Sequence, residues 1–326
     1  MPVEEPPPDV ALGDRSEEEV LAAVLPAFAA VPGVLVGPGD DAAVLDLSPG
    51  PVVATTDSMV RGQDWVDAWS TARDVAAKCL TQNLADLAAM GATPTSLLVS
   101  IAADPATPLA WLVDFAVELG SRAAARRVGV VGGDLSSASV GTIVVAVTAL
   151  GRLDGRDPVC RGGAAAGDVV AVRGSLGRSA AGLLLLQRDG AGPDPAYPDL
   201  VAAHLRPEAP VVDGVVAADA GATAMIDVSD GLLRDADRVG RASGVLVDLE
   251  RARLEPFVAA LRGAVGDEAA LECVLAGGEE HSLLAMFPGP DDVPTGWAVL
   301  GTVREGRGVA VDGVVTAPRG WDHFAG

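Results

Sequence analysis

Five short segments of this chain put carboxylates where a strand or helix should end, and a further carboxylate sits on a helix. They are Gly39-Asp40-Asp41, Thr55-Thr56-Asp57, Val131-Gly132-Gly133-Asp134, Asp227-Val228-Ser229-Asp230-Gly231 and Gly277-Gly278-Glu279-Glu280, with Asp86 inside QNLADLAAMGA. Hydroxyl and carboxylate oxygens are the donors that Mg²⁺, a hard cation, takes. Each segment alone also has a plain reading: Asp favours tight turns, Ser229 or Asp230 is an ordinary helix cap, and Gly277 a C-cap. Asp86 resists that reading. At helical spacing it shares a face with Cys79, Asn83 and Met90, and it lies toward the helix C-terminus, where the dipole disfavours negative charge. A bound cation is the best partner for it. Taken together, acids from several element ends would hold several Mg²⁺ ions around phosphates.

The elements that must position these groups follow from periodicity and punctuation. Ser16-Glu17-Glu18-Glu19 predicts a capped helix running to about Ala30. A strand is expected over Pro51–Thr56, with Thr55, Thr56 and Asp57 at its tip. A helix is expected over Thr71–Met90, stopped by Gly91. Further strands are predicted at Thr95–Ala102, Val128–Val131 and Thr142–Leu150, with a helix over Pro108–Arg127. In the second half, strands are expected at Asp168–Val172, Met225–Val228 and Ser282–Phe287. Helices are expected after Gly177, around Pro210–Ala220 and over Asp230–Ala242. Strands alternating with long helices predict a mixed α/β or α+β fold. The division reads as a disordered acidic lead (1–15), a first domain (16–151) and a second (152–326).

Composition bounds the function. The 326 residues carry a formal net charge of -22, which excludes general electrostatic binding of a nucleic acid backbone. Lys78 is the only lysine, so a phosphate-binding GxxxxGK[ST] loop is impossible. Phosphates would have to be neutralised by arginine, backbone amides or metal. Cys79, Cys160 and Cys273 are far apart and read as reduced core residues of a cytoplasmic protein. No membrane span is expected, because no apolar run reaches roughly 18 residues, and no signal peptide, because the acidic, proline-rich start MPVEEPPPDV shows no basic region followed by an apolar one.

The segments GDDAAV, TTD, QNLADLAAMGA, VGGD, HLRP, IDVSDGL, LAGGEE and the terminal WDHF occur in the order found in the thiamine-monophosphate kinase family, which the chain resembles nearly end to end. That family belongs with aminoimidazole ribonucleotide synthetase. The resemblance implies a two-domain fold of that type and a homodimer whose N-terminal domains pair their sheets. It implies ATP-dependent phosphorylation of thiamine monophosphate to thiamine diphosphate. By motif match, Asp41, Thr55, Thr56, Asp57, Asp86, Asp134, Asp227 and Asp230 are expected to bind Mg²⁺. Gly133, Asp134, Arg161 and Ser229 are expected to contact ATP, and Asp64, Glu279 and Trp321 the acceptor. The chain departs from the family pattern at Asp64, where a histidine is usual, at Glu280, usually Asp, and at His281, usually aromatic. No general base is expected, because the acceptor is an ionised phosphate. An aminoimidazole ribonucleotide synthetase-like enzyme and a non-catalytic nucleotide-binding dimer are the alternatives.

Overall fold

The computed structural model describes residues 10–28, 32–36, 44–46, 50–189 and 196–321. The chain divides into two compact units, one made of Met1–Asn83 with Pro94–Arg152, the other of Leu84–Thr93 with Leu153–Gly326.

In the first unit, α1 (Glu17–Val24) starts on the expected capping box: Ser16 Oγ accepts from the Glu19 amide, and the Glu19 carboxylate accepts from the Ser16 amide at 2.8 Å. It ends earlier than the sequence predicts. Pro26, which has no N–H to donate, turns the chain into a 3₁₀ turn over Leu25–Ala27. Two short strands, β1 (Val34–Val36) and β2 (Val44–Leu45), pair antiparallel. A four-stranded sheet follows, built from β3 (Val52–Val60), β4 (Thr93–Ala103), β5 (Gly129–Ser137) and β6 (Ile143–Arg152) in the order β3-β6-β4-β5. Helices α2 (Ala72–Ala89) and α3 (Leu109–Ala125) bury apolar stripes, with Leu80, Phe115 and Leu119 almost fully enclosed. Thr71 and Asp74 cap α2 reciprocally, and Gly91, at φ +71°, stops it as expected.

Two strands run further than predicted. β3 continues past Thr56 to Val60 because it pairs with β6 over nine consecutive residues. β5 continues through Gly132 and Gly133 to Ser137, paired parallel with β4. The glycine pair therefore does not end the strand. A Cβ on Gly133 would lie 1.9 Å from the Val99 carbonyl oxygen, so the close approach it permits is that of the neighbouring strand.

The second unit contains β7 (Val169–Arg173), α4 (Arg178–Asp189), α5 (Pro198–Leu205), α6 (Val211–Asp219), β8 (Ala224–Val228), α7 (Leu232–Ser243), β9 (Leu246–Leu249), α8 (Arg251–Val265), α9 (Asp267–Ala276), β10 (Ser282–Phe287), β11 (Ala298–Arg304), β12 (Gly308–Val311) and β13 (Val314–Val315). Its seven strands form one mixed sheet in the order β13-β12-β9-β11-β7-β10-β8. β7, β8 and β10 are buried along almost their whole length, which is why they read as continuous apolar runs rather than as alternation. Beneath them Phe287 meets Trp297 edge-on, with centroids 5.5 Å apart. Of the cysteines, Cys79 and Cys273 are buried as expected, whereas Cys160 is exposed. Among the described residues no helix is long and apolar enough to cross a membrane.

Candidate functional site

In the first unit, β3 carries Thr55, Thr56 and Asp57 mid-strand, and the pleat separates them. Thr55 and Asp57 face inward with Met59, while Thr56 is exposed on the other face with Ala54 and Ser58. The Thr56 hydroxyl donates to the Val147 carbonyl at 3.1 Å and accepts from Thr148. The expectation of three neighbouring side-chain donors is thus corrected to two. Asp57 and Asp64 both raise the pKa of the Cys79 thiol, after burial, which dominates, so both carboxylates lie near that residue of α2. Asp64 Oδ2 accepts from the Val60 amide at 2.6 Å and closes the turn at the end of β3. Trp65, beside it, is buried and stacks on Trp111 with centroids 6.3 Å apart, so its ring serves the core. Asp134 is exposed on β5 and accepts from Ser136 Oγ at 2.8 Å. Asp41 lies outside the described residues.

In the second unit, three segments are joined by backbone hydrogen bonds. The Glu279 amide donates to the Ser229 carbonyl at 2.7 Å, His281 N–H to Val228 O at 2.8 Å, and Trp321 N–H to Asp230 O at 2.9 Å. Asp230, Glu279 and Trp321, which are distant in sequence, are thereby brought together. Gly320 allows the last approach, since a Cβ there would lie 2.2 Å from the Asp230 carbonyl. His281 Nδ1 sits 3.2 Å from Asp227 Oδ2. Burial would lower the pKa of this imidazole. The hydrogen bond and charge of Asp227, with further charge from Glu279 and Asp86, outweigh burial and push it up. The half-buried Asp86 therefore belongs with Asp227 and Glu279. Arg161 is exposed, its carbonyl accepting from Ser243 Oγ at 2.9 Å, and no described hydrogen bond joins it to this cluster.

Sequence reasoning missed one member. Neither Ser229 nor Asp230 caps α7; the N-cap position is Gly231, at φ +119°. Asp235, buried in the first turns of α7, turns its Oδ2 back to accept from the amides of Ser229, Asp230 and Gly231 at 3.1, 3.0 and 3.2 Å. The amides that could have met an external anion are already occupied by an internal one. Arg238 then bridges the Asp230 and Asp235 carboxylates. Burial, reinforced by Asp227, pushes the Asp235 carboxyl up to about 7, against the pull of Arg238. The available signal was an acid among buried apolar positions: Asp235 stands between Leu232, Leu233, Ala236 and Val239.

The donor set fits Mg²⁺ by its chemistry, being carboxylate and hydroxyl oxygens without thiolate. Among the described residues no three His, Cys, Asp or Glu side chains converge as a ready cage. Mg²⁺ does not need one: it keeps several waters and is held by one or two carboxylates plus substrate phosphates.

Comparison with known proteins decides the family. Residues 39–153 match the model of the AIR synthase related protein N-terminal domain. A thiamine-monophosphate kinase of Mycobacterium tuberculosis is 45% identical over 296 residues, 89% of this chain and 86% of that protein. The chain belongs to the thiamine-monophosphate kinase family. A family member of Corynebacterium glutamicum is 38% identical over 282 residues, 82% of each chain. Among solved structures, the thiamine-monophosphate kinase of Stenotrophomonas maltophilia K279a superposes with a TM-score of 0.79 at 30% identity, over 92% of this chain and 96% of that one. AaThiL complexed with AMPPCP and TMP superposes with a TM-score of 0.77 at 29% identity, over 84% and 87% of the two chains. These likenesses bear out the mixed α/β fold expected from the sequence.

Proposed function

We propose that this chain transfers the γ-phosphoryl group of ATP to the phosphate of thiamine monophosphate, giving thiamine diphosphate and ADP. Family membership and the likeness to AaThiL in complex with AMPPCP and TMP support the reaction. The observation that carries the site is the joining of the Asp227–Gly231, Gly277–His281 and Gly320–Trp321 segments, which sets carboxylates beside an exposed tryptophan face. A phosphate oxygen of the acceptor attacks the γ-phosphorus in line as the bond to the ADP oxygen breaks. The second pKa of a phosphate monoester is about 6, so that oxygen is ionised at pH 7 and no side chain need take a proton. Positioning and charge neutralisation carry such a reaction. Mg²⁺ ions, when bound, would neutralise two anionic substrates that otherwise repel each other inside an acidic protein.

In this reading Asp41, Thr55, Asp57, Asp86, Asp134, Asp227 and Asp230 hold Mg²⁺. Gly133, Asp134, Arg161 and Ser229 approach ATP. Glu279, Trp321 and Asp64 face the acceptor, where carboxylates and an aromatic face suit the cationic thiazolium ring. We assign Asp41, Thr55, Asp57, Asp86 and Asp134 of the first group, with Asp64, to a domain of about residues 16–151, and Asp227, Asp230, Glu279 and Trp321 to residues 152–326. A homodimer formed through the first-unit sheet is part of the proposal, supported by the exposure there of Val52 (45%) and Leu98 (39%). The unpaired cysteines suit a reducing compartment, and we place the reaction in the cytoplasm.

The test is an assay of the purified chain with ATP, Mg²⁺ and thiamine monophosphate. Thiamine diphosphate formation that a chelator abolishes is the expected result. ATP binding without product would overturn it in favour of a non-catalytic dimer.

A further inference from the structure

Three separated segments of the second unit meet beside Glu279. Glu280, 5% exposed, accepts from the Ser175 hydroxyl and, at 3.0 Å, from the Ser179 amide in the first turn of α4. Ser179 Oγ lies 3.2 Å from Nδ1 of His204, at the end of α5, and that nitrogen is also 3.3 Å from Glu279 Oε2. Ser179 is 1% exposed and His204 5%. The loop that carries Glu279 is held in an unusual shape: Glu279 and His281 have φ of +57° and +53°, a region non-glycine residues seldom enter. Their amide bonds to Ser229 and Val228 fix the backbone, and the His204 contact bears on the side chain. That side chain is 38% exposed and lines a cavity of about 400 Å³ together with Arg178 and Arg206.

We propose that His204 is the positioning residue for Glu279, holding its carboxylate in the orientation that receives the acceptor. The inference rests on the reading of Glu279 as an acceptor contact. A carboxylate only accepts, so the arrangement needs the proton on Nδ1 of His204, shared between Glu279 Oε2 and Ser179 Oγ. Glu280 anchors the Ser179 end of the same chain of bonds, which connects the first turn of α4 to the acceptor-facing carboxylate. Losing the His204 contact frees a long side chain at the wall of the site. That penalises binding of the molecule Glu279 touches and leaves the nucleotide alone.

The test is steady-state kinetics of the full-length protein with ATP, Mg²⁺ and thiamine monophosphate, with each substrate varied in turn. His204→Asn keeps an amide nitrogen near the Nδ1 position, whereas His204→Gln moves it to the Nε2 position. Glu279→Gln is expected to raise the KM for thiamine monophosphate about tenfold, as loss of a charged hydrogen bond does. His204→Gln should raise it comparably, with the KM for ATP within about twofold and the melting temperature near wild type. His204→Asn should stay within about threefold of wild type, and His204→Gln with Glu279→Gln should be no worse than the poorer single variant. If Glu279→Gln raises that KM and His204→Gln does not, the positioning role is overturned while the Glu279 contact stands. An unchanged KM in Glu279→Gln would remove Glu279 from the acceptor site and the inference with it. Equal changes for both substrates in His204→Gln would make the role purely structural and also overturn it.

Discussion

The carboxylate of Asp235 accepts the backbone amide of Asp230 at 3.0 Å, so one acid of the α7 entry is held in place by another. The same oxygen takes the Ser229 and Gly231 amides, and Arg238 bridges the two side chains. Replacing Asp235 by Leu leaves three backbone donors without their acceptor and Arg238 short of one anion. A destabilisation of about 2–4 kcal/mol is expected in chemical denaturation. Turnover should fall with it, because Ser229 and Asp230 lose their fixed positions.

The Asp235 carboxyl also predicts a pH dependence. Its folded value is raised from 3.8 to about 7. Between those values the folded protein binds more protons than the unfolded chain, so stability falls as pH rises through that window and levels off above it. The ceiling for this one group is on the order of 4 kcal/mol. Urea denaturation in chelator-containing buffer at pH 5 and pH 8 should show wild type losing stability, and Asp235→Asn losing clearly less. Equal slopes in the two proteins would refute the assignment.

Asp57 and Thr56 are adjacent in sequence yet lie on opposite faces of β3. Asp57→Ala should lower Mg²⁺-dependent turnover by at least about a hundredfold, with little loss of stability. Thr56→Val removes a hydroxyl bonded to Val147 and Thr148, and should cost about 1 kcal/mol of stability. Its Mg²⁺ requirement should resemble wild type much more closely than that of Asp57→Ala. Normal activity in Asp57→Ala would remove the metal reading of β3.

The sequence made the local features legible. The Ser16 cap, the Gly91 stop, the apolar β10 run and the carboxylates themselves each depend on a few neighbouring residues. What escaped depends on partners far along the chain. β3 passes Thr56 because β6, some ninety residues away, supplies a ladder to Val60. The Gly132-Gly133 pair looked like a strand end because nothing local announces the neighbouring strand, with the Val99 carbonyl packed against it. β9, β11, β12 and β13 went unpredicted, since their short runs become strands only by joining one mixed sheet. Asp235, inside the helix expected over Asp230–Ala242, drew no reading because its partners are the Ser229, Asp230 and Gly231 amides that only the folded α7 entry brings to its carboxylate.

Asp64 combines a turn bond with the proposed acceptor role, and one substitution separates them. Asp64→Asn keeps an oxygen that can accept from the Val60 amide while removing the charge. Stability should change by less than about 1 kcal/mol, because the turn keeps its acceptor. The KM for thiamine monophosphate should rise about three- to tenfold from loss of attraction to the cationic ring. An unchanged KM would confine Asp64 to the turn.

Gly320 controls how Trp321 is seated. Its missing Cβ lets the chain pass within hydrogen-bonding range of Asp230, and an added methyl would meet that carbonyl at 2.2 Å and the Arg234 Cβ at 3.0 Å. The backbone carbonyl cannot yield without disturbing the α7 entry, so the terminal segment moves instead. Gly320→Ala should therefore break the Trp321–Asp230 hydrogen bond and displace the exposed indole. None of residues 312–321 is buried, so the melting temperature should fall by only a few degrees. The KM for thiamine monophosphate should rise about tenfold, close to that of Trp321→Ala, while the KM for ATP stays within about twofold. If Gly320→Ala binds the acceptor normally while Trp321→Ala does not, the indole reaches its ligand without the Asp230 bond, and that bond only tethers the chain end.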